Sequence, residues 1–243
     1  MQEENKTKIP KILHYIWLGN NPEPKILEKC KKSWKKFCPD YEIKRWDESN
    51  LNIDINLYCR QAYDNKKYAF ASDVLRFDVL YNNGGIYLDV DVELIKNLDE
   101  FLSNEAFCGF ELKNLINPGL IYGCKKHDKN VKNLIDIYNK ETFVIDNKLN
   151  LKTVCERTTK YFLDRGLKCN DDIENIASTT IYPVRYFNPT NLSTQKVKIE
   201  RETALIHHYA ASWYTSKMKF KRFIKTILNK VTFGLFGKIF LKK

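Results

Sequence analysis

Two carboxylates two residues apart, Asp89 and Asp91, close the run Gly84-Gly85-Ile86-Tyr87-Leu88-Asp89-Val90-Asp91, and a third, Glu93, follows shortly after. Alternate side chains of a strand share a face, so these three acids are expected to point one way and Leu88, Val90, Val92 and Leu94 the other. Carboxylates gathered on an otherwise apolar strand repel one another and are costly to bury, so the spacing calls for a cation among them. Oxygen donors suit Mg²⁺ or Mn²⁺, and either ion takes phosphate oxygens and waters into the rest of its shell. The expected partner is therefore a phosphorylated ligand. Upstream, Asp73 and Arg76 lie three residues apart, with Ser72 four before Arg76. A helix brings these onto one face, where a carboxylate, a guanidinium and a hydroxyl can hold sugar hydroxyls and phosphate together.

The flanking pattern supplies elements to carry these groups. Residues 69–81 contain no Gly or Pro and have Ala71, Val74, Leu75, Val79 and Leu80 at helical spacings, with Gly84 and Gly85 where a helix would stop. Residues 86–94 read as a strand. Earlier, 12–18 and 41–46 read as strands, 24–37 as a helix and 51–63 as one or two helices. Later, strands are expected over 106–111, 119–122, 179–182 and 204–208, and helices over 129–138 and 151–163. This alternation predicts an α/β fold with a mixed, mostly parallel sheet flanked by helices. Ligands bind such sheets beyond the carboxyl ends of the strands, which would collect Trp17, Asp89 and Asp91. Within the last strand His207 and His208 must face opposite sides, so only one easily reaches a metal. His14, inside the first strand, reads as a hydrogen-bonded core histidine.

Ala71-Ser72-Asp73-x-x-Arg76, followed by Tyr81-x-x-Gly84-Gly85-Ile86-Tyr87-Leu88-Asp89-x-Asp91-Val92, resembles the sugar-nucleotide-binding region of glycosyltransferase family 32. Ile9-Pro10-Lys11-Ile12-Leu13-His14-Tyr15-Ile16-Trp17-Leu18-Gly19, Ser33-Trp34 and Trp46-Asp47 are similar to the family's first segments. Ile181-Tyr182-Pro183 and Ile206-His207-His208-Tyr209-Ala210-Ala211-Ser212-Trp213 are similar to the closing ones of its small bacterial members. The resemblance implies a GT-A-like single catalytic domain and a retaining, Mn²⁺- or Mg²⁺-dependent hexosyltransferase. Its donor would be a nucleoside-diphosphate sugar, UDP- ahead of GDP-, and its acceptor a glycan or lipid-linked saccharide in cell-surface polysaccharide synthesis. Asp73, Arg76, Asp89 and Asp91 are the implied catalytic residues, and Asp89, Asp91 and His207 the implied metal ligands. Trp17, Ser72, Asp73, Arg76, Tyr87, Asp89, Ser212 and Trp213 are the implied donor contacts, with Trp17 stacking on the base and Trp213 covering the diphosphate. Where the family often carries Asn, this chain has Ala210, so any polar contact from that position is lost or moved. A sugar-nucleotide hydrolase would use the same residues, and a non-enzymatic basic membrane-binding protein would need none of them.

At 243 residues and 43% apolar content the chain can bury one substantial core. Its net charge of +11 does not point to nucleic acid: nine units lie from Lys217 onward, where no acid occurs, leaving +2 for the rest. The expected division is a catalytic domain over 1–216 and a basic tail over 217–243. Phe220, Phe223, Ile224, Ile227, Leu228 and Val231 recur at helical spacings in that tail, with Lys219, Arg222, Lys225 and Lys230 largely off the stripe. This pattern predicts an amphipathic helix on an anionic membrane surface. Seven cysteines without a C-x-x-C pair fit a reducing compartment. With a polar start and no apolar run near the roughly 18 residues of a spanning helix, the expected location is cytoplasmic, peripheral on the inner face of the membrane.

Overall fold

The computed structural model describes residues 8–190, 194 and 196–210. Strand β1 (Ile12–Ile16), helix α1 (Lys25–Phe37) and strand β2 (Glu42–Trp46) come first, then helices α2 (Leu57–Asp64) and α3 (Tyr68–Asn83). Strands β3 (Gly85–Tyr87), β4 (Val92–Leu94), β5 (Ala106–Leu112), β6 (Leu115–Ile116) and β7 (Tyr122–Cys124) follow, and then helix α4 (Lys129–Asn139). A small hairpin of β8 (Val144–Ile145) and β9 (Lys148–Leu149) leads into α5 (Val154–Leu163). The remaining elements are β10 (Glu174–Ile176), β11 (Thr179–Tyr182), the short helix α6 (Val184–Phe187) and β12 (Leu205–His207).

The main sheet has the order β10-β11-β5-β7-β3-β1-β2, with β6 beside β5. Strands β2, β1, β3, β5 and β11 run one way, while β7, β10 and β6 oppose them. The α/β architecture expected from the sequence, a mixed and mostly parallel sheet flanked by helices, is the one observed. The seven cysteines are all free, and none of the described helices is long and apolar enough to cross a membrane. The described residues up to Tyr209 belong to one compact unit. The amphipathic tail expected over 217–243 lies outside the described residues.

Helix α3 is buried on most of its surface, which explains its apolar content; Ser72, Asp73 and Arg76 are the polar exceptions. It stops because Gly84 adopts φ +68°, a conformation that favours glycine, while the Gly84 N–H donates to Leu80 O. Gly85 follows at φ +93°, where a Cβ would lie 2.8 Å from His14 Nε2 and Ile12 O. His14 is a core histidine, as the sequence predicts: Nε2 donates to Gly84 O at 2.8 Å, and Nδ1 accepts from Trp46 Nε1 at 3.0 Å.

The strand expected over 86–94 is not continuous. The Leu88 N–H still bonds to His14 O, but the Asp89 N–H turns to Gly119 O and the Val92 N–H closes a turn onto Asp89 O. Beyond the turn, β4 leaves the main sheet and pairs antiparallel with β12, His207 opposite Val92. Helix α1 holds it there, for Trp34 Nε1 donates to Val92 O at 2.8 Å and Ser33 Oγ accepts from the Leu94 N–H at 2.9 Å. The three acids therefore do not line one strand face. The strand expected over 119–122 also begins later, at Tyr122, because Asn117 Oδ1 caps a turn through the N–H groups of Gly119 and Leu120.

Candidate active site

The carboxyl end of β3 meets the middle of α3, and the groups chosen by spacing come together there. Arg76 is buried; its Nη2 donates to Asp73 Oδ1 at 2.8 Å and to Ser72 Oγ at 3.3 Å, and its Nε donates to Ser72 O. Its Nη1 lies 3.5 Å from Asp89 Oδ1, and the guanidinium stacks 4.8 Å from the centre of the Tyr87 ring. Tyr87 in turn donates its hydroxyl to Asp89 Oδ1 at 3.0 Å. One cation thus links the helix acid to the strand acid, and one ring supports both. Burial pushes the Asp73 carboxyl up to about 7, against the pull of Arg76, Arg157 and the Val154 N–H at the start of α5. Burial also works against the Arg76 charge, but Asp89, Tyr87 and Asp73 outweigh it and hold the guanidinium protonated.

The other two acids have separate partners. Asp91 is buried, and His207 Nε2 lies 3.2 Å from its Oδ1. Glu93 pairs with Lys29 of α1 and with His208 Nε2, each at 2.7 Å. The two histidines meet different acids, and His207 is the one beside Asp91. Burial disfavours the charged form of His207, yet the hydrogen bond and charge of Asp91, with Asp89 and Glu111, raise its affinity for a proton. Its Nδ1 is buried without a hydrogen-bond partner.

Trp17, just past β1, is buried and donates its indole N–H to Asn21 O at 2.7 Å. Ser212 and Trp213 lie outside the described residues. Among the described residues no group of three or more His, Cys, Asp and Glu side chains is placed to hold a metal ion, so Asp89, Asp91 and His207 are not drawn together as the ligand set the sequence implied: Asp89 turns to Arg76 and Asp91 to His207. A divalent ion at Asp91, on the Nε2 side of His207, would therefore take most of its ligands from phosphate and water.

Three parts of this site were not singled out in the sequence. Gly119 packs its backbone into the gap beside Asp89 Oδ2 and Arg76 Nη1, so a Cβ would fill the cradle. Its signal is the Asn117-Pro118-Gly119 turn. The start of α5, fixed by a capping box between Thr153 and Glu156, supplies the Val154 N–H to Asp73. Glu111, near the end of β5, lies 4.0 Å from His207 Nδ1, and a lone acid carries no spacing signal.

A constellation of this kind at the end of a parallel strand suits a ligand that carries both hydroxyls and phosphate. Residues 24–108 match the family described as "Glycosyltransferase sugar-binding region containing DXD motif". This match and the relatives that follow make the chain a glycosyltransferase. It is 28% identical over 196 residues to an uncharacterized glycosyltransferase of Acanthamoeba polyphaga mimivirus, covering 75% of this chain and 76% of the viral one. Against inositol phosphoceramide mannosyltransferase 3 of Schizosaccharomyces pombe it is 36% identical over 104 residues, 41% of this chain but 29% of the yeast protein. Among solved structures, a glycosyltransferase involved in the glycosylation of the major capsid of PBCV-1 aligns with a TM-score of 0.49 and 14% identity, over 84% of this chain and 96% of that one.

Proposed function

We propose that the protein transfers a hexose from a nucleoside-diphosphate sugar to a hydroxyl of a glycan or lipid-linked saccharide, with retention and with help from Mn²⁺ or Mg²⁺. The observation that carries this is the Asp73–Arg76–Asp89 array at the end of β3, backed by Tyr87 and left open by Gly119. A divalent ion at Asp91 would neutralise charge on the departing diphosphate. Arg76 is fixed in place before substrate arrives, so its donors face developing phosphate charge at no cost of reorganisation. Asp73 accepts from donor-sugar hydroxyls and orients the anomeric carbon. The sequence resemblance favours UDP-sugars. The yeast relatives, named for mannose and for an inositol phosphoceramide acceptor, support a lipid-borne acceptor and make GDP-mannose the second donor to try. The basic amphipathic stretch over 217–243 would bring the site to an anionic membrane.

The test is thermal unfolding with UDP- and GDP-sugars, each with Mn²⁺ or with chelator, on the native chain and on Asp91→Asn. Ligand at 100 times its dissociation constant adds about 2.7 kcal/mol, which for a protein of this size is roughly 5–10 °C. The expected result is a shift for one nucleotide class that chelator and Asp91→Asn both remove, with transfer lost in parallel. Transfer undiminished in excess chelator would end the metal-dependent reading.

A further inference from the structure

His207 is held on both sides, and only the Asp91 side was expected. Its ring packs at a tilt against that of Tyr209, with centroids 4.1 Å apart and 37° between the planes. The Tyr209 hydroxyl accepts from Asn188 Nδ2 at 2.7 Å, and burial together with the nearby Glu111 carboxylate keeps that hydroxyl protonated. Asn188 also donates to the backbone carbonyl of Glu111 at 2.8 Å, so one amide fixes both the strand end and the ring. Glu111 Oε1 then faces His207 Nδ1 at 4.0 Å, near enough for charge attraction and just beyond a direct hydrogen bond. The Glu111 and His207 side chains are only 13% and 9% exposed, so water screens the attraction little. Without Glu111, nothing described would face the buried Nδ1 with charge, and the imidazole could rotate away from Asp91.

We propose that Glu111 is the positioning residue of His207: its carboxylate, near Tyr209 on the strand end that Asn188 fixes, keeps Nε2 of the imidazole aimed at Asp91. A carboxylate behind an imidazole fixes which nitrogen faces the site, and loss of such a partner typically costs 10–100-fold in metal affinity or activity. Glu111 itself touches neither Asp89 nor Asp91 through any described hydrogen bond, so it acts through the histidine. The activity arm of the inference rests on the donor-site reading above; its geometric arm does not.

The full chain, labelled with ¹⁵N-histidine, is compared with Glu111→Gln and Glu111→Ala at one pH, the His207 ring signals being assigned by their loss in His207→Gln. The expected result is that both Glu111 variants move the His207 ring signals and leave those of His208 in place. Glu111→Ala should weaken Mn²⁺ binding and slow transfer by about 10-fold or more, and the same change made in His207→Gln should add little further loss. Glu111→Asp should recover part of the difference. Unmoved His207 signals would overturn the inference, and so would a full independent loss in the His207→Gln background. If the native chain proves neither to bind Mn²⁺ nor to transfer sugar, the donor-site reading fails while the ring signals still decide the role of Glu111.

Discussion

Arg76 makes contacts that a lysine cannot copy. From one plane it reaches Asp73 and Ser72 Oγ through Nη2, Ser72 O through Nε and Asp89 through Nη1, and it lies over Tyr87. Arg76→Lys should therefore lower kcat/KM nearly as far as Arg76→Ala, on the order of 10²-fold, as for other lost transition-state donors. Near-native kinetics in the lysine variant would reduce Arg76 to a plain ion pair. His14 gives a prediction about stability. Burial lowers its pKa from 6.5 to about 4, and its neutral ring satisfies Gly84 O and Trp46 Nε1. The folded value lies below the unfolded one, so the stability it contributes is present above about pH 6.5 and is lost as pH falls toward 4. Full loss amounts to about 3 kcal/mol. Denaturant titrations between pH 7 and 4 should show a shallower decline in His14→Gln; an equal decline would locate acid sensitivity elsewhere. At this scale the sequence was informative where chemistry is local. Asp73 and Arg76 meet because three residues of helix bring them together, whereas Glu111 meets His207 only through the tertiary fold.

The turn between β3 and β4 is the element on which the site depends. It sends Asp89 toward Arg76 and Asp91 toward His207, where an unbroken strand would have put both on one face. Helix α3 was legible because its spacing and the absence of Gly and Pro leave one reading. The turn was not, since its hydrogen bond to Gly119 O and the pairing of β4 with β12 come from residues far along the chain. Elements as short as β6, β8, β9 and α6 leave no periodicity to read. Gly119→Ala tests the cradle. Its φ is not positive, so the backbone tolerates alanine, but the added methyl would meet Asp89 Oδ2 and lie 2.5 Å from Arg76 Nη1. Transfer should drop at least 10-fold with a melting temperature within a few degrees of native. Normal transfer would mean that the carboxylate yields freely and the gap is not used.

For the molecule as a whole, the charge is unevenly distributed along the chain. The sequence from Lys217 onward carries nine basic residues and no acid, and each basic side chain near an anionic bilayer adds about 1 kcal/mol of binding, weakened by salt. Deleting residues 217–243 should abolish sedimentation with anionic vesicles while transfer to a soluble acceptor continues. If the shortened protein still sediments as the full chain does, the membrane role of the tail is wrong.

The pairing of β4 with β12 also sets a timetable. His208 and Glu93, joined across that small ladder, are 115 residues apart in the chain, so closing it costs more loop entropy than any neighbouring hairpin and must wait for distant segments to arrive. A chain emerging from the ribosome has the helix carrying Asp73 and Arg76 long before it has the histidine that meets Asp91. Assembly of Asp91 with its histidine is thus a late event in synthesis. Nascent fragments that stop short of β12 should carry a recognisable first half and bind no sugar nucleotide.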